Sequence, residues 1–300
     1  MRTVKENAYA KINLYLDVTG KRSDGFHEVE TVMHAISLCD VITVEVLSLG
    51  YADITLIIEG DSSLPTDGKN LAVRAARAYL DRTGITDGIR ITLEKKIPVA
   101  AGLAGGSSDA AATLRALNKL YGALTDSDLI EIAAELGSDV PYLLDGGTAF
   151  CFGRGELVEP LAPLLGLNIV VAVDDGERVS TPEAYGALDA LYSDFKSPCF
   201  DEQSAKLALL KHGIAEGKLD TCGLYNIFEN AIFPICYGAE LIKSKLVELG
   251  AIAALMSGSG PSVYGIFETS AAARSAVAEL TALGYRAFFA VSYDESQNIL

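Results

Sequence analysis

The sequence predicts a two-domain α+β protein, on three observations. Its 300 residues exceed the roughly 100–200 that one domain commonly takes. Short β-type runs and helical periodicities alternate through the first half. After a loose stretch of glycine, proline and polar residues at Gly153 to Pro163, a new series of strands and helices begins. We therefore expect an N-terminal α/β domain over residues 1–158 and a C-terminal α+β domain over residues 159–300.

The chain opens on strict alternation. Ala10, Ile12, Leu14 and Leu16 share one face of a strand, and Tyr9, Lys11, Asn13 and Asp17 share the other, which reads as one buried and one polar face. A loop at Ser23-Asp24-Gly25-Phe26-His27 follows, then β-type runs at Val41 to Leu47, Ile54 to Ile58 and Ile89 to Leu93. Leu71, Ala75, Ala78 and Leu80 are spaced as a helix within Asn70 to Asp81. Ser107 to Leu120 is alanine- and leucine-rich with helical spacing, and Asp126 to Leu136 is a second helix with Thr125 as cap and Gly137 as stop. In the second half the expected order is strand Asn168 to Val173, helices near Pro182 to Tyr192, Ser204 to His212 and Ile235 to Glu248, strands Ala253 to Ser257 and Ser262 to Phe267, helix Ser270 to Leu283, and strand Ala287 to Val291.

Half of the residues are hydrophobic and 21% are charged, a globular balance rather than a disordered one. A formal net charge of −16 repels nucleic-acid phosphates and anionic membranes, so neither is an expected partner. An anionic small molecule stays compatible, since backbone N–H groups, a metal ion and a local cation suffice to hold one. No apolar run approaches the roughly 18–20 residues that span a bilayer, and no secretory apolar core follows Met1, so a cytoplasmic location is expected. The five cysteines, Cys39, Cys151, Cys199, Cys222 and Cys236, are scattered and never spaced as Cys-x-x-Cys, and read as buried free thiols. The chain is compatible with a monomer or a homodimer.

The segment that most clearly carries chemistry is Pro98-Val99-Ala100-Ala101-Gly102-Leu103-Ala104-Gly105-Gly106-Ser107-Ser108-Asp109, small residues ending in hydroxyls at the mouth of a helix. Glycines admit close backbone approach, the helix N-terminus offers unpaired N–H groups and a positive dipole end, and Ser107 or Ser108 suits phosphate or Mg²⁺. Read alone, the same stretch could be a tight turn with Ser107 as helix cap. It is neither a Walker A loop nor a Gly-x-Gly-x-x-Gly dinucleotide turn. Phosphoryl transfer to a hydroxyl also needs charge neutralisation and a group that positions or removes the hydroxyl proton. Asp139, in a turn pinned by Pro141, and Lys11, with Asn13 two residues on and pointing the same way, are the candidates. A helix-capping aspartate and a solvated strand face are the plain alternatives. His27 follows Phe26, whose ring could stack on a flat ligand or simply join the core, while His34 and His212 read as structural or exposed. Ser257-Gly258-Ser259-Gly260-Pro261 is a second cluster of backbone N–H groups or a plain turn.

In their order along the chain, the early strand lysine, the Gly-Leu-x-Gly-Gly-Ser-Ser-Asp loop and the late Met-Ser-Gly-Ser-Gly-Pro turn resemble GHMP kinases. The resemblance covers nearly the whole chain. It implies an N-terminal domain of the ribosomal protein S5 type, a ferredoxin-like C-terminal domain, ATP as phosphoryl donor and a requirement for Mg²⁺. Ala10-Lys11-Ile12-Asn13-Leu14, Arg22-Ser23-Asp24-Gly25-Phe26-His27 and Gly137-Ser138-Asp139-Val140-Pro141 are similar to the branch that phosphorylates the 2-hydroxyl of a cytidine-diphosphate-linked methylerythritol in non-mevalonate isoprenoid synthesis.

That pattern implies Lys11 and Asp139 as the catalytic pair and a loop from Ala101 to Asp109 around the ATP phosphates, entered through Pro98, Val99 and Ala100, with Ser107 as a candidate Mg²⁺ ligand. It places Asn70, Leu71 and, more loosely, Lys96 near the nucleotide base. Phe26 and Tyr185 would sandwich the cytosine, His27 would read its edge, and Asn13 and Asp139 would meet the acceptor. One departure is Asn226-Ile227-Phe228-Glu229, where the family often has aspartate at the second position. Competing readings are a GHMP kinase acting on mevalonate, homoserine or a sugar, a non-catalytic nucleotide sensor, and an oxidoreductase, the last disfavoured by the missing dinucleotide turn.

Overall fold

The alternation that opens the chain becomes a 19-residue strand, β1 (Thr3–Lys21), in the computed structural model, which describes residues 2–48, 53–59, 64–192, 195 and 200–294. A turn at Arg22 to Phe26, closed by the Arg22 N–H on the Phe26 carbonyl with Gly25 at φ 88°, leads into β2 (His27–Ser48). Then come β3 (Ile54–Glu59), α1 (Leu71–Thr83), β4 (Gly88–Glu94), α2 (Gly105–Tyr121), α3 (Asp126–Leu136) and α4 (Val140–Asp145). Two interleaved units contain these elements. One comprises Met1–Ala10, Cys39–Val99 and Ala104–Asp145, and the other Lys11–Leu38, Ala100–Leu103 and Gly146–Leu300.

Within the first unit β3 and β4 are parallel, joined through α1, and β4 is antiparallel to the later half of β2. The Asn70 side chain caps α1 by accepting from the Ala72 N–H, and Gly84 ends the helix in the left-handed conformation that glycine adopts without strain. Thr125 and Asp128 close a capping box on α3, so the expected cap is in place. The expected turn at Ser138 to Pro141 is instead the entry to α4, where Pro141 sits in the first helical turn, whose N–H groups need no intrahelical acceptor.

The second unit continues with β5 (Thr148–Gly153), β6 (Leu157–Pro160), β7 (Asn168–Val173), α5 (Thr181–Leu191), α6 (Phe200–Ala215), β8 (Tyr225–Asn226), α7 (Glu229–Ile232), α8 (Tyr237–Glu248), β9 (Ala253–Met256), β10 (Val263–Phe267), α9 (Ser270–Ala282) and β11 (Arg286–Val291). The loose stretch read at Gly153 to Pro163 thus contains a strand, β6, antiparallel to β5. β5 pairs with the first half of β2, and β8 is parallel to β1. The last four strands form an antiparallel sheet in the order β11-β7-β10-β9. Numbered along the chain from β7 that order is 4-1-3-2, with α8 and α9 packed on the sheet, which is the ferredoxin-like β-α-β-β-α-β arrangement. Val170, Ala172, Ile242, Leu246, Val263 and Leu280 meet in its core.

Two expectations need correction. The polar face of β1 is buried, with Lys11 3% and Asn13 2% exposed. Its polar groups bond one another instead of water, because a buried charge persists only when it has partners. Cys151 and Cys236 are buried as expected and Cys39 is half-buried, but Cys222 is exposed in a short 3₁₀ turn. Cys199 lies outside the described residues. His34 is buried and bonded to Thr148, and burial pushes its pKa down to about 4, while His212 is exposed.

Asp17, on the same buried face, has its carboxyl pushed up to about 6, first by burial and then by the charge of Glu30, against hydrogen bonds from Val18 and Tyr15. An acid whose folded pKa is raised contributes stability that is present below its unfolded value and lost as pH rises through the folded one. Asp17→Asn should therefore match the wild type near pH 4 and exceed it by about 3 kcal/mol at pH 8. Urea denaturation of both proteins at the two pH values reads this, and equal midpoints at pH 8 would refute it.

Candidate active site

The strand β4 ends just before the glycine-rich segment, and α2 begins within it at Gly105. Ala100, Gly102 and Ala104 all have left-handed backbone, with φ of 53°, 73° and 56°. Alanine rarely adopts that conformation, so two of the three turns are held against local preference by their surroundings. In the second unit the Gly102 carbonyl accepts from Lys11 Nζ at 3.0 Å and from Ser257 Oγ at 3.0 Å. The Ala101 carbonyl accepts from the Ser262 hydroxyl and N–H, and the Lys11 N–H donates to Leu103 at 3.2 Å. A Cβ on Gly102 would stand 2.0 Å from the Ser257 carbonyl oxygen, so only glycine fits there.

Lys11 Nζ also donates to Asn13 Oδ1 at 2.6 Å, and Asn13 Nδ2 donates to Thr31 Oγ1 at 2.8 Å. The second glycine turn is built into the same network. Gly258 has φ 56°, and a Cβ there would stand 2.8 Å from the Gly102 oxygen and 3.1 Å from Lys11 Nζ. Asn226, whose role the sequence did not reveal, donates to the Met256 and Gly258 carbonyls at 2.7 and 2.9 Å. Glu229 accepts from the Met256 N–H and pairs with Lys243. Ile227, between them, is buried in the hydrophobic core of this unit, where an aspartate would need a partner that an isoleucine does not.

In the first unit, Ala104 stands at the N-cap of α2 with no side-chain hydrogen bond to the helix. The first-turn N–H groups at Gly105, Gly106 and Ser107 therefore have no capping side chain, and the positive end of a 17-residue helix lies open to an anion. Ser107 lies inside the first turn rather than at the cap, and it is half-buried. Ser108 is buried, and its hydroxyl donates to the Tyr9 carbonyl at 2.7 Å. The two serines thus divide: Ser108 anchors the helix, and Ser107 is the one with solvent access.

Asp109 is also buried and pairs with Lys95 at 2.6 Å, and Lys95 pairs equally closely with Asp40. Burial raises the Asp109 pKa and Lys95 opposes that rise. Burial alone would lower the Lys95 pKa, but Asp109 and Asp40 outweigh it and raise it. Lys96, expected near the nucleotide base, is exposed, while its neighbour Lys95, which the sequence analysis does not single out, has a side chain only 5% exposed. Leu71 approaches the loop, its Cδ1 lying 3.6 Å from where a Gly106 Cβ would be, while the Asn70 side chain is occupied as the cap of α1. Asp139 immediately precedes α4 and is half-buried, and among the described residues its carboxylate has no hydrogen bond or ion pair.

A ring cluster occupies the start of β2 and α5 in the second unit. His27 stacks on Tyr185 at 4.6 Å between centroids and meets Phe195 edge-on at 5.2 Å. His27 Nε2 lies 2.7 Å from Asp189 Oδ1, and Lys21 holds Oδ2 at 2.6 Å. The Lys21 and His27 hydrogen bonds keep the Asp189 pKa low. An ionised carboxylate only accepts, so Nε2 carries the proton of this hydrogen bond. Phe26 is 52% exposed, with the Arg154 guanidinium 5.0 Å from its ring centroid. Tyr185 thus stacks on His27.

Family models for the GHMP kinases N terminal domain and the GHMP kinases C terminal match residues 70–153 and 206–286. A 4-diphosphocytidyl-2-C-methyl-D-erythritol kinase of Gloeobacter violaceus is 39% identical over 93% of this chain and 91% of its own. The crystal structure of a 4-(cytidine 5'-diphospho)-2C-methyl-D-erythritol kinase superimposes with a TM-score of 0.77 at 35% identity, covering 97% of this chain and 100% of that one. A homoserine kinase from Cytophaga hutchinsonii, at 23% identity and a TM-score of 0.75 over 98% and 95% of the two chains, shares the fold.

Proposed function

The chain belongs to the GHMP kinase family, and on that premise we propose that it transfers the γ-phosphoryl group of ATP to the 2-hydroxyl of 4-diphosphocytidyl-2-C-methyl-D-erythritol, giving the 2-phosphate and ADP in isoprenoid precursor synthesis. The observation that carries the acceptor is identity near 40%, sustained along the chain, with kinases of that name. The phosphate end of the reading is supported by the open N-terminus of α2 and by the fixed left-handed turns before it.

The glycine-rich segment binds phosphate oxygens through backbone N–H groups. Lys11 donates from its ammonium to Asn13 Oδ1 and to the Gly102 carbonyl, and a positive charge at this place suits the phosphoryl oxygens of the transition state. Asp139 accepts the acceptor hydroxyl and either orients it or takes its proton. The Ser107 hydroxyl, half-buried in the first turn of α2, suits a Mg²⁺ ion bound with ATP and would help to hold it, and the ion would supply charge neutralisation to the phosphates.

We assign residues 1–158 and 159–300 to the two family domains, a division supported by where the family models fall. No described helix is long and apolar enough to cross a membrane, and a cytoplasmic location agrees with the use of ATP. ADP release from Mg-ATP, with the cytidine diphosphate compound, mevalonate, homoserine and galactose as parallel acceptors, tests the proposal. Turnover confined to the first is expected. Turnover of another acceptor would replace the substrate, and nucleotide binding without any turnover would replace catalysis by sensing.

A further inference from the structure

Three buried charges of the first unit lie outside the chemistry above. Asp40 is fully buried on β2, and the Lys95 and Asp109 side chains are 5% and 4% exposed. Asp40 Oδ1 accepts the backbone N–H groups of Lys96 and Ile97, the two peptides before Pro98. Its Oδ2 takes Lys95 Nζ at 2.6 Å, and the same ammonium reaches Asp109 Oδ2 at 2.6 Å, one turn inside α2. One cluster therefore touches the chain where it enters the glycine-rich segment and again where it leaves. Gly105 fits the same contact, since a Cβ there would stand 3.1 Å from Lys95 Nζ and 3.0 Å from Ile97.

This arrangement answers a physical problem. The segment from Pro98 to Ala104 has no polar side chain with which to fix itself, and α2 has no capping side chain. A capping side chain would hold the helix end but would occupy the N–H groups that an anion needs. Charges placed below the loop orient both ends while leaving the backbone donors open, although two carboxylates around one ammonium are a costly thing to bury.

We propose that Asp40, Lys95 and Asp109 are positioning residues that hold the entry and exit of the glycine-rich segment in register for nucleotide phosphates. The inference rests on the kinase reading for the identity of its ligand. Its test is the affinity for a non-hydrolysable ATP analogue with Mg²⁺, measured by calorimetry and paired with steady-state kinetics. Asp40→Ala and Lys95→Met should weaken the analogue and raise the ATP KM by about tenfold or more, since small misplacements of binding groups are expensive. The acceptor KM should stay within about twofold and kcat at saturating ATP within about threefold. Asp40→Asn, which keeps an acceptor for the Lys96 and Ile97 N–H groups, should recover most of the loss.

Wild-type nucleotide affinity in folded Asp40→Ala and Lys95→Met overturns the proposal, as does a parallel rise of the ATP and acceptor KM values. If circular dichroism shows those two unfolded, the near-isosteric Asp109→Asn is decisive: weaker nucleotide binding with unchanged acceptor KM supports the proposal, and unchanged nucleotide affinity overturns it. A wild type that binds the analogue but does not turn over the acceptor overturns only the functional reading. A wild type that does not bind the analogue overturns both.

Discussion

Asp139→Asn is expected to lower kcat by about 10²–10⁴-fold while the ATP KM stays within about threefold. Asp139 stands directly before α4, and among the described residues nothing bonds its carboxylate, so the group is neither consumed as a helix cap nor neutralised by an ion pair. Asparagine keeps the volume and one acceptor oxygen but cannot take a proton, so folding and nucleotide binding should survive. Lys11 is the less clean probe. Its ammonium holds the Gly102 carbonyl and Asn13, and a variant there would disturb the glycine-rich segment along with the chemistry. Steady-state kinetics with the cytidine diphosphate acceptor decides the matter. Full activity in Asp139→Asn would remove the residue from the reaction, and a large rise in acceptor KM at unchanged kcat would make it a binding group.

Local signals in the sequence located most of the helices, because their caps and stops are local chemistry: Asn70 and Gly84 for α1, Thr125 and Gly137 for α3. The strands and helices of the second half were also legible from periodicity, whereas their ferredoxin-like arrangement, which the resemblance implied, depends on pairing across long separations, such as Val263 with Ala172, that periodicity does not contain. The polarity of Lys11 and Asn13 misled, because alternation predicts a solvated face wherever polar residues recur. Here they satisfy one another, through Thr31, on a face closed to water. The burial of Lys95 was not read from the sequence, although one signal of it was present. Asp40 interrupts an otherwise apolar run from Leu38 to Ile42, and a charge in such a run needs a partner. Asn226 was hidden for a different reason: its work is to brace a turn some thirty residues away, at Met256 and Gly258.

Methylerythritol lacking its cytidine diphosphate is expected to show a kcat/KM lower by roughly 10⁴-fold than the complete acceptor. Lys21 pairs with Asp189 and keeps its carboxylate ionised. Asp189 in turn orients His27 through Nε2, and Tyr185 and Phe195 fix the plane of the imidazole. The exposed ring of Phe26 lies close by in sequence as a stacking surface. The other ring nitrogen, Nδ1, suits the polar edge of a base such as cytosine, and an acceptor without that base leaves the prepared group unpaired. Binding energy from this remote part of the substrate is also what holds the reacting hydroxyl in line, so its loss should fall on kcat as well as KM. Side-by-side kinetics on the two acceptors reads the ratio directly, and comparable kcat/KM values would mean that the His27 cluster does not read the acceptor at all.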